Sequence, residues 1–219
     1  MASGKYDNQN RAQAVETTLD LLDAVSADDS MSQRGISERL GVALGLTNAV
    51  VKRCLRKGLL KIRQAPARRY AYYLTPKGFA EKSRLTAEYL STSLRFYREA
   101  REGYGGLFDF CATRGWKRVV IIGATEMAEI AAMASADSGI TVIGVIDPER
   151  NEATFSGLPV FRDISEIPGS EKPSAVVLAD ITDPQAAYES LADALPDERI
   201  LAPDLLRITR RADKVEADE

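Results

Sequence analysis

The chain has 219 residues, a length that suits about two domains of roughly 100 residues each. Its hydrophobic share of 45% is ordinary for a globular protein, and the absence of an 18-residue apolar run argues against a membrane span. There is no histidine, which removes the commonest general base and the commonest metal ligand. The two cysteines, Cys54 and Cys111, lie far apart and predict neither a metal cluster nor a disulfide framework. Together these features favour a cytoplasmic protein that is not an enzyme.

The charge distribution divides the chain into two halves of opposite sign. Residues 1–102 contain 18 Lys and Arg against 11 Asp and Glu, whereas residues 103–219 contain 11 against 21. Within residues 34–84 the ratio is 13 to 2, although the net charge of the whole chain is only −3. Such asymmetry indicates that the basic half binds a polyanion, the alternative being a merely solvated basic surface.

The first elements predicted along the chain are three helices. Residues 11–25 place apolar side chains at helical spacing, and a second, short helix over 33–40 ends at Gly41. A third helix is predicted over 44–57, with Val50, Val51, Cys54 and Leu55 facing inward and Asn48, Lys52, Arg53 and Arg56 facing outward.

A β-hairpin and a long helix follow. Apolar and polar residues alternate on either side of the turn QAPAR, which predicts two paired strands. Thr75 and Pro76 are typical of the N-cap and first position of a helix, which we expect to continue to about residue 101. The order helix, helix–turn–helix, hairpin, helix is that of a winged helix-turn-helix domain.

In that architecture the third helix is narrow enough to enter the major groove of DNA, and the hairpin turn is placed to contact phosphate or the minor groove. The sequence therefore predicts double-stranded DNA as a partner and a set of polar and basic contact residues. These are Asn48, Lys52, Arg53 and Arg56 on the helix, and Arg63, Arg68 and Arg69 around the hairpin turn. For each of these residues, an ordinary solvated surface position is the alternative.

The segments SQRGISERLGV, TNAVVKRCLRKGLLK and RRYAYYLTPKGFAEKSRL resemble winged helix-turn-helix regulators of the MarR type. The resemblance covers about residues 11–100 and is nearest to the subgroup associated with exopolysaccharide biosynthesis genes. Position 43 departs from the family, since it is Ala where Ser or Thr usually opens the recognition helix. The resemblance implies a transcription regulator that forms a homodimer through helices outside the winged core.

The second half, from residue 103, alternates apolar strands with helices. KRVVIIG, ITVIGVID, PSAVVLAD and RILAPDLL predict strands, and ATEMAEIAAMASADSG and DPQAAYESLADAL predict helices. GYGGLFDFCATRGW predicts a glycine-marked junction with a short helix. We therefore expect a two-domain chain: a winged helix domain over 1–102 with a long C-terminal linker helix, and a Rossmann-like, doubly wound parallel-sheet domain over 103–219.

The first strand of this half ends in a partial dinucleotide fingerprint. Gly123 and Ala128 fit the first and third positions of G-x-G-x-x-G/A, but Thr125 replaces the glycine that lets the backbone approach a pyrophosphate. Asp147 follows the second strand, where an acidic residue could bind ribose hydroxyls. Glu126, at the start of the helix, would repel a phosphate.

The segments KRVVIIGATEMAEIA, VIGVIDPE and FSGLPVFRDISEI resemble the N-terminal Rossmann-like domain of sugar O-acyltransferases of the sialic acid and bacillosamine type. The resemblance implies a nucleotide-sugar bound by Gly123, Ala124, Thr125, Glu126 and Asp147. The family's Gly-Gly-His segment and hexapeptide repeat are absent from this sequence, so acetyl transfer is not implied. A ligand-free interaction module is the alternative for this half.

Three functions remain open on the sequence. The first is a DNA-binding regulator whose α/β domain senses a nucleotide or nucleotide-sugar. The second is an enzyme acting on a nucleotide-bound sugar with Glu126, Glu129 or Asp147 as base, and the third is a protein–protein adaptor. The layout also resembles redox-sensing repressors that bind NADH, but because one glycine of the fingerprint is missing, NAD is only a secondary candidate ligand.

Overall fold

The computed structural model describes residues 3–28, 31–65 and 69–210, and the side chains of residues 14–28, 31–63 and 70–210. The chain divides into two units, Met1–Ser93 and Leu94–Glu219. We call them the winged-helix unit and the α/β unit. The division falls within a long helix, whereas the sequence predicted a domain boundary near residue 103.

The winged-helix unit contains three helices and a hairpin in the predicted order. Helix α2 starts after Ser32, whose hydroxyl accepts the Gly35 N–H, and Gly41 caps its end in the left-handed conformation. Strands β1 and β2 pair antiparallel, with Leu60 opposite Leu74 and Ile62 opposite Tyr72. The element bounds are α1 Ser3–Ala27, α2 Gln33–Leu40, α3 Leu44–Arg56, β1 Leu60–Ala65 and β2 Arg69–Leu74.

A single apolar core holds these elements together. Leu21, Leu22, Ile36 and Val51 are fully buried in it, which fits the predicted helical spacing of apolar residues. The cluster also draws on the hairpin and the following helix through Leu59, Leu60, Tyr72, Leu74 and Leu85.

The sequence LTPKG joins the hairpin to helix α4 (Pro76–Thr113) by side-chain and backbone contacts. The Thr75 hydroxyl donates to the Gly58 carbonyl at 2.7 Å and accepts the Gly78 N–H at 3.0 Å, which caps the helix. A Cβ on Gly78 would lie 2.1 Å from the Leu59 carbonyl oxygen, so only glycine permits this close approach. The motif therefore fixes where α4 leaves the hairpin.

Helix α4 is longer than the sequence predicted, because the expected glycine-marked junction is helical. Three glycines at positions 103, 105 and 106 weaken helix propensity. However, Ala100, Tyr104, Phe108 and Cys111 recur on one face and are fully buried in the core of the α/β unit. Tertiary packing thus outweighs local propensity, and the helix continues to Thr113.

The α/β unit contains a six-stranded sheet in the order β5-β6-β4-β3-β7-β8. All neighbouring pairs are parallel except β5 with β6. The five parallel strands lie side by side as β6-β4-β3-β7-β8. If they are renumbered 1 to 5 in chain order, this is the order 3-2-1-4-5 of a Rossmann-type sheet. The bounds are β3 Arg118–Ile122, α5 Glu126–Ser135, β4 Thr141–Ile146, β5 Thr154–Phe155, β6 Leu158–Phe161, β7 Ala175–Leu178, α6 Pro184–Leu191 and β8 Ile200–Leu201.

Separate apolar clusters cover the two faces of this sheet. On one face, α4 and α5 pack on alternate strand residues such as Val119 and Ile121. On the other face, Tyr188 of α6 packs with Val120 and Ile122. Helices therefore flank both sides, which confirms the predicted winged helix-turn-helix followed by a doubly wound α/β fold. Within the described ranges, no helix combines the length and apolar character that a membrane span requires.

Candidate nucleic-acid interface and ligand crevice

Helix α3 presents a polar outward face and a buried inward face. Thr47, Val50, Val51 and Cys54 are its buried residues. The opposite side, which we call the outward face, consists of four exposed residues: Gly45, Ala49, Lys52 and Arg56. The two small residues, Gly45 and Ala49, precede the two cations along the helix and leave room for another molecule to approach the helix backbone.

Asn48 and Arg53 lie at the edges of α3, so they face outward only in part. Both are half-buried, and the Asn48 Oδ1 atom is buried without a hydrogen-bond partner among the described residues. The Arg53 Nη2 atom donates to the Thr18 hydroxyl at 2.8 Å and thereby ties α3 to α1. Of the four outward positions predicted on this helix, Lys52 and Arg56 are therefore fully available to a partner.

The hairpin adds exposed cations next to aromatic residues. Lys61 and Arg63 are exposed on β1, where Lys61 pairs with the exposed Tyr73. Arg68 lies outside the described residues, and only the backbone of Arg69 is described, as the first residue of β2. The predicted hairpin contacts are therefore represented by Arg63 alone.

The basic side chains of the winged-helix unit differ in whether a carboxylate neutralises them. Arg34 pairs with Glu38, Lys82 with Asp23, and Arg84 with both Glu81 and Glu88. Within the described part of the chain, five exposed cations of α3, its C-cap residue and the hairpin have no ion-pair partner. They are Lys52, Arg56, Lys57, Lys61 and Arg63.

The start of α3 departs from ordinary capping. Ala43 is the N-cap residue, and no side chain caps the helix there, as the sequence indicated. Leu44 and Leu46 in the first turn are about half exposed, at 48% and 46%. Sequence reasoning missed these two leucines, because periodicity assigns apolar residues in a helix to the core.

In the α/β unit, strand order reverses at β3, whose neighbours are β4 on one side and β7 on the other. Ligands of such sheets bind outside the carboxyl ends of the strands at this point. Gly123 follows β3 there with φ +91°, and a Cβ on it would lie 2.8 Å from the Asp180 backbone nitrogen. The glycine is thus required by the close approach of the segment after β7, whether or not a ligand binds.

The other predicted crevice residues are engaged within the unit. The Thr125 hydroxyl donates to the Ala179 carbonyl at 2.6 Å and accepts the Met127 N–H as N-cap of α5. The half-buried Asp147 carboxylate accepts the Ala124 N–H at 3.1 Å and the Glu149 N–H at 3.0 Å. These contacts bring Gly123, Ala124, Thr125 and Asp147 together at one end of the sheet, and Glu126 is exposed beside them.

Two further residues at this crevice were not predicted. Arg150 donates from Nη2 to the Ala124 carbonyl at 3.1 Å and lies 4.7 Å from the centroid of the Phe155 ring. The Asp180 Oδ1 atom accepts the Thr182 N–H at 2.7 Å. The sequence carried a signal for Asp180, because it follows an apolar strand in the same way that Asp147 does.

A cavity of about 320 Å³ lies elsewhere in the α/β unit. It is lined by residues of α4 and the end of α5, and Arg101 forms an ion pair with Asp137 there at 2.7 Å. The described residues contain no group of three or more cysteine, aspartate or glutamate side chains placed to hold a metal ion.

Residues 16–61 match the family model of winged helix-turn-helix DNA-binding domains. The match contains α2 and α3 and reaches the beginning of β1. It covers less than half of the chain and describes the helix–turn–helix part of the winged-helix unit.

A partial match relates the chain to curated reductases. The 4-hydroxy-tetrahydrodipicolinate reductase of Streptococcus pneumoniae strain Hungary19A-6 is 38% identical over 80 residues, which cover 36% of this chain and 30% of the reductase. The enzyme of strain JJA is 36% identical over the same length. The chain thus spans less than a third of the length of these relatives.

Solved structures of transcription regulators show local similarity. The PcaV regulator from Streptomyces coelicolor is 29% identical, with a TM-score of 0.35, over 36% of this chain and 60% of that chain. MepR from Staphylococcus aureus is 14% identical, with a TM-score of 0.33, over 44% of this chain and 82% of that chain. TM-scores of this size do not establish a shared fold for the whole chain.

Proposed function

We propose that this protein is a DNA-binding transcriptional regulator of the MarR type whose α/β unit senses a small molecule. The observation that carries the proposal is the outward face of α3. Lys52 and Arg56 are exposed there and have no ion-pair partner among the described residues. A helix of this kind in a winged helix-turn-helix unit is the element that reads the major groove.

The charge of the winged-helix unit favours DNA over a protein partner. Residues 34–84 contain 13 Lys and Arg but only 2 acidic residues. The two acidic residues, Glu38 and Glu81, each form an ion pair with an arginine. Five cations of α3, its C-cap and the hairpin have no ion-pair partner among the described residues and can neutralise phosphates. Such contacts supply sequence-independent affinity that falls steeply with salt. A protein adaptor would not need so uniform a surface.

A homodimer follows from the resemblance to MarR-type regulators. The middle of α4 exposes large apolar residues, which a second copy could cover: Tyr89, Leu90, Leu94 and Phe96. A two-fold dimer would present two recognition helices to two half-sites of a palindromic operator. Sedimentation velocity tests this assembly: Leu90→Asp together with Leu94→Asp is expected to convert a dimer into a monomer, whereas a wild-type monomer would contradict it.

The proposed effector is a nucleotide or nucleotide-sugar bound at the crevice of Gly123, Ala124, Thr125, Glu126 and Asp147, with NAD as the secondary candidate. Support comes from the reversal of strand order at β3, from the Asp147 carboxylate and from Arg150 next to it. Since Asp147 already accepts two backbone N–H groups, a ligand hydroxyl must share or replace one of these bonds. An effector of this kind acts by binding one arrangement of the regulator better than another.

From the resemblance to the exopolysaccharide-associated subgroup of MarR-type regulators, we infer that the regulated genes belong to polysaccharide biosynthesis. A nucleotide-sugar suits such genes as a signal because it is the activated precursor from which a polysaccharide is built. Chromatin immunoprecipitation from the native host tests the assignment, and enrichment confined to unrelated genes would contradict it.

A second candidate function is an enzyme that acts on a nucleotide-bound sugar or a dinucleotide. The observation in its favour is the 38% identity to a reductase over 80 residues. Its candidate bases are Glu126, Glu129 and Asp147, and the Glu129 carboxylate accepts the Ser156 hydroxyl. Turnover of NADH or of a uridine-diphosphate sugar by the purified protein would establish this candidate.

Selection of bound duplexes from a random DNA library tests the regulator directly. We expect enrichment of a defined site, bound at low salt by the wild type and about 100-fold more weakly by Lys52→Ala combined with Arg56→Ala. Lys117→Ala combined with Lys172→Ala is the matched control, because it removes two exposed cations of the α/β unit. Absence of enrichment, or equal loss in both variants, would overturn the proposal.

A thermal-shift screen tests the effector separately. Uridine-diphosphate glucose, NAD and NADPH are the probes, and a bound ligand raises the melting temperature by mass action. We expect Asp147→Ala to abolish the shift. Failure of every probe would contradict a nucleotide effector and leave DNA binding by the winged-helix unit standing.

A further inference from the structure

Leu44 and Leu46 are two exposed apolar residues in the first turn of α3, and their side chains flank Gly45 on either side. They are 48% and 46% exposed, and neither belongs to the apolar core of the winged-helix unit. Gly45 lies between them and faces open space, since nothing within 4 Å would contact a Cβ there. Single exposed leucines are ordinary on protein surfaces, but this pair occupies the end of the helix that enters the groove first.

The surroundings of the pair restrict what can cover it. Lys52 and Arg56 on the same helix form no ion pair with any described residue, so the partner must carry negative charge along the helix as well as apolar groups at its beginning. The major groove of DNA offers both, because the C5-methyl groups of thymines project from base edges between two phosphate backbones.

The dimensions of α3 fit this arrangement. Lys52 follows Leu44 by eight positions, which corresponds to about 12 Å along a helix, or about two turns. A recognition helix lies within the major groove with its N-terminal residues at the base edges. This distance therefore places Lys52 and Arg56 beyond the leucines, where long side chains can reach phosphates or guanines.

We propose that Leu44 and Leu46 contact thymine C5-methyl groups and thereby set part of the sequence specificity. This inference rests on the proposed DNA-binding function and adds the residues that read one base type. The first turn of α3 then selects thymines, whereas Lys52 and Arg56 supply phosphate contacts and affinity.

Removal of single methyl groups from the DNA is the direct test. In a duplex selected from the random library, each thymine is replaced in turn by deoxyuridine, which lacks only the C5-methyl group. For the wild type we expect about a three- to tenfold loss of affinity at one or two thymines and no change at the others. For the variant carrying Leu44→Ala and Leu46→Ala, the same replacements should cause no loss.

Two controls separate base reading from folding and assembly. Leu44→Met with Leu46→Met keeps an apolar contact and should retain sensitivity to deoxyuridine. The alanine variant should melt within about 2 °C of the wild type, because both side chains lie outside the core. Lys52→Ala should weaken binding to all duplexes while leaving the deoxyuridine effect unchanged.

Three outcomes would overturn the inference. Equal affinity for every deoxyuridine duplex rules out methyl recognition while leaving DNA binding intact. Dissociation of an oligomer by the alanine variant would show that a second copy covers the leucines. Failure of the library to enrich any duplex would overturn both this inference and the proposed function.

Discussion

The two units differ in how far their candidate binding residues are already engaged. On α3 of the winged-helix unit, Lys52 and Arg56 are exposed and have no carboxylate partner in the described structure. In the α/β unit, the Asp147 carboxylate accepts two backbone N–H groups of its own unit. Thr125 and Asp180 of the α/β unit resemble Asp147 in this respect, because their side-chain oxygens form hydrogen bonds with nearby backbone groups. Unpaired cations indicate a surface prepared for a partner, while satisfied polar groups stabilise the turn that contains them. The two units therefore differ in how directly their structures indicate a ligand.

The largest expected effect is on stability, and it tests whether the two units unfold independently. Phe108→Ala removes a fully buried ring from the core of the α/β unit and should lower its free energy of unfolding by about 3–5 kcal/mol. Trp116, the only tryptophan, packs against that core and reports its unfolding by fluorescence. Duplex binding by the winged-helix unit should persist below the new transition. Loss of both at the same denaturant concentration would show that the units unfold together.

Asp147→Ala tests whether the crevice carboxylate is structural. It leaves the N–H groups of Ala124 and Glu149 without their acceptor, which we expect to cost about 1–3 kcal/mol in unfolding free energy. Asp147→Asn keeps an acceptor oxygen and should cost less. Chemical denaturation followed through Trp116 measures both. Equal stability of wild type and Asp147→Ala would mean that the carboxylate is held for a ligand instead.

Arg53→Ala sharpens the assignment of roles on α3. Because the Arg53 guanidinium donates to the Thr18 hydroxyl, its removal should destabilise the winged-helix unit by about 1 kcal/mol. Its effect on duplex affinity should be smaller than that of Lys52→Ala, because Lys52 is exposed and forms no ion pair with any described residue. Circular dichroism and fluorescence anisotropy give the two quantities. The reverse ranking of affinities would make Arg53 a primary DNA contact.

The smallest expected effect concerns Asp20 on α1. Partial desolvation of this exposed residue, followed by the nearby charges of Glu16 and Asp23, raises the pKa of its carboxyl above the usual value of 3.8. Because the folded state binds the proton more tightly, protonated Asp20 adds to the free energy of unfolding at low pH. This contribution is lost as pH rises through the pKa of the folded state. Asp20→Asn should therefore raise the melting temperature at pH 7 by about 1–2 °C, with the gain shrinking towards pH 4. A lower melting temperature at pH 7 would contradict this sign.

The sequence predicted those parts of the fold that depend on local signals. Gly41 ends α2, and Thr75 with Pro76 begins α4, where expected from capping rules. The full length of α4 depends on tertiary contacts of Tyr104 and Phe108 with the sheet. The sequence did not predict it, because three glycines lower the helix propensity of that segment. Packing against a distant segment cannot be inferred from helix propensity alone.

The candidate sites show the same limit. Charge and helical spacing predicted that Lys52 and Arg56 face outward, which their exposure confirms, but they could not show that Arg53 bonds to Thr18 or that Asn48 is half-buried. At the crevice, spacing identified Gly123 and Asp147 as neighbours. The role of Gly123 in admitting the Asp180 backbone required the strand order, because β7 follows β3 by more than fifty residues in sequence.

The salt dependence of duplex binding tests the central claim most directly, namely that the outward face of α3 binds the DNA backbone and bases. Affinity is measured by fluorescence anisotropy from about 50 to 200 mM salt for the wild type and for Lys52→Ala with Arg56→Ala. We expect the wild-type plot of log affinity against log salt to fall steeply, and the variant to lose about 2 from the magnitude of that slope, since each phosphate contact contributes about 0.9. An unchanged slope in the variant, or no duplex binding by the wild type at 50 mM salt, would contradict the account.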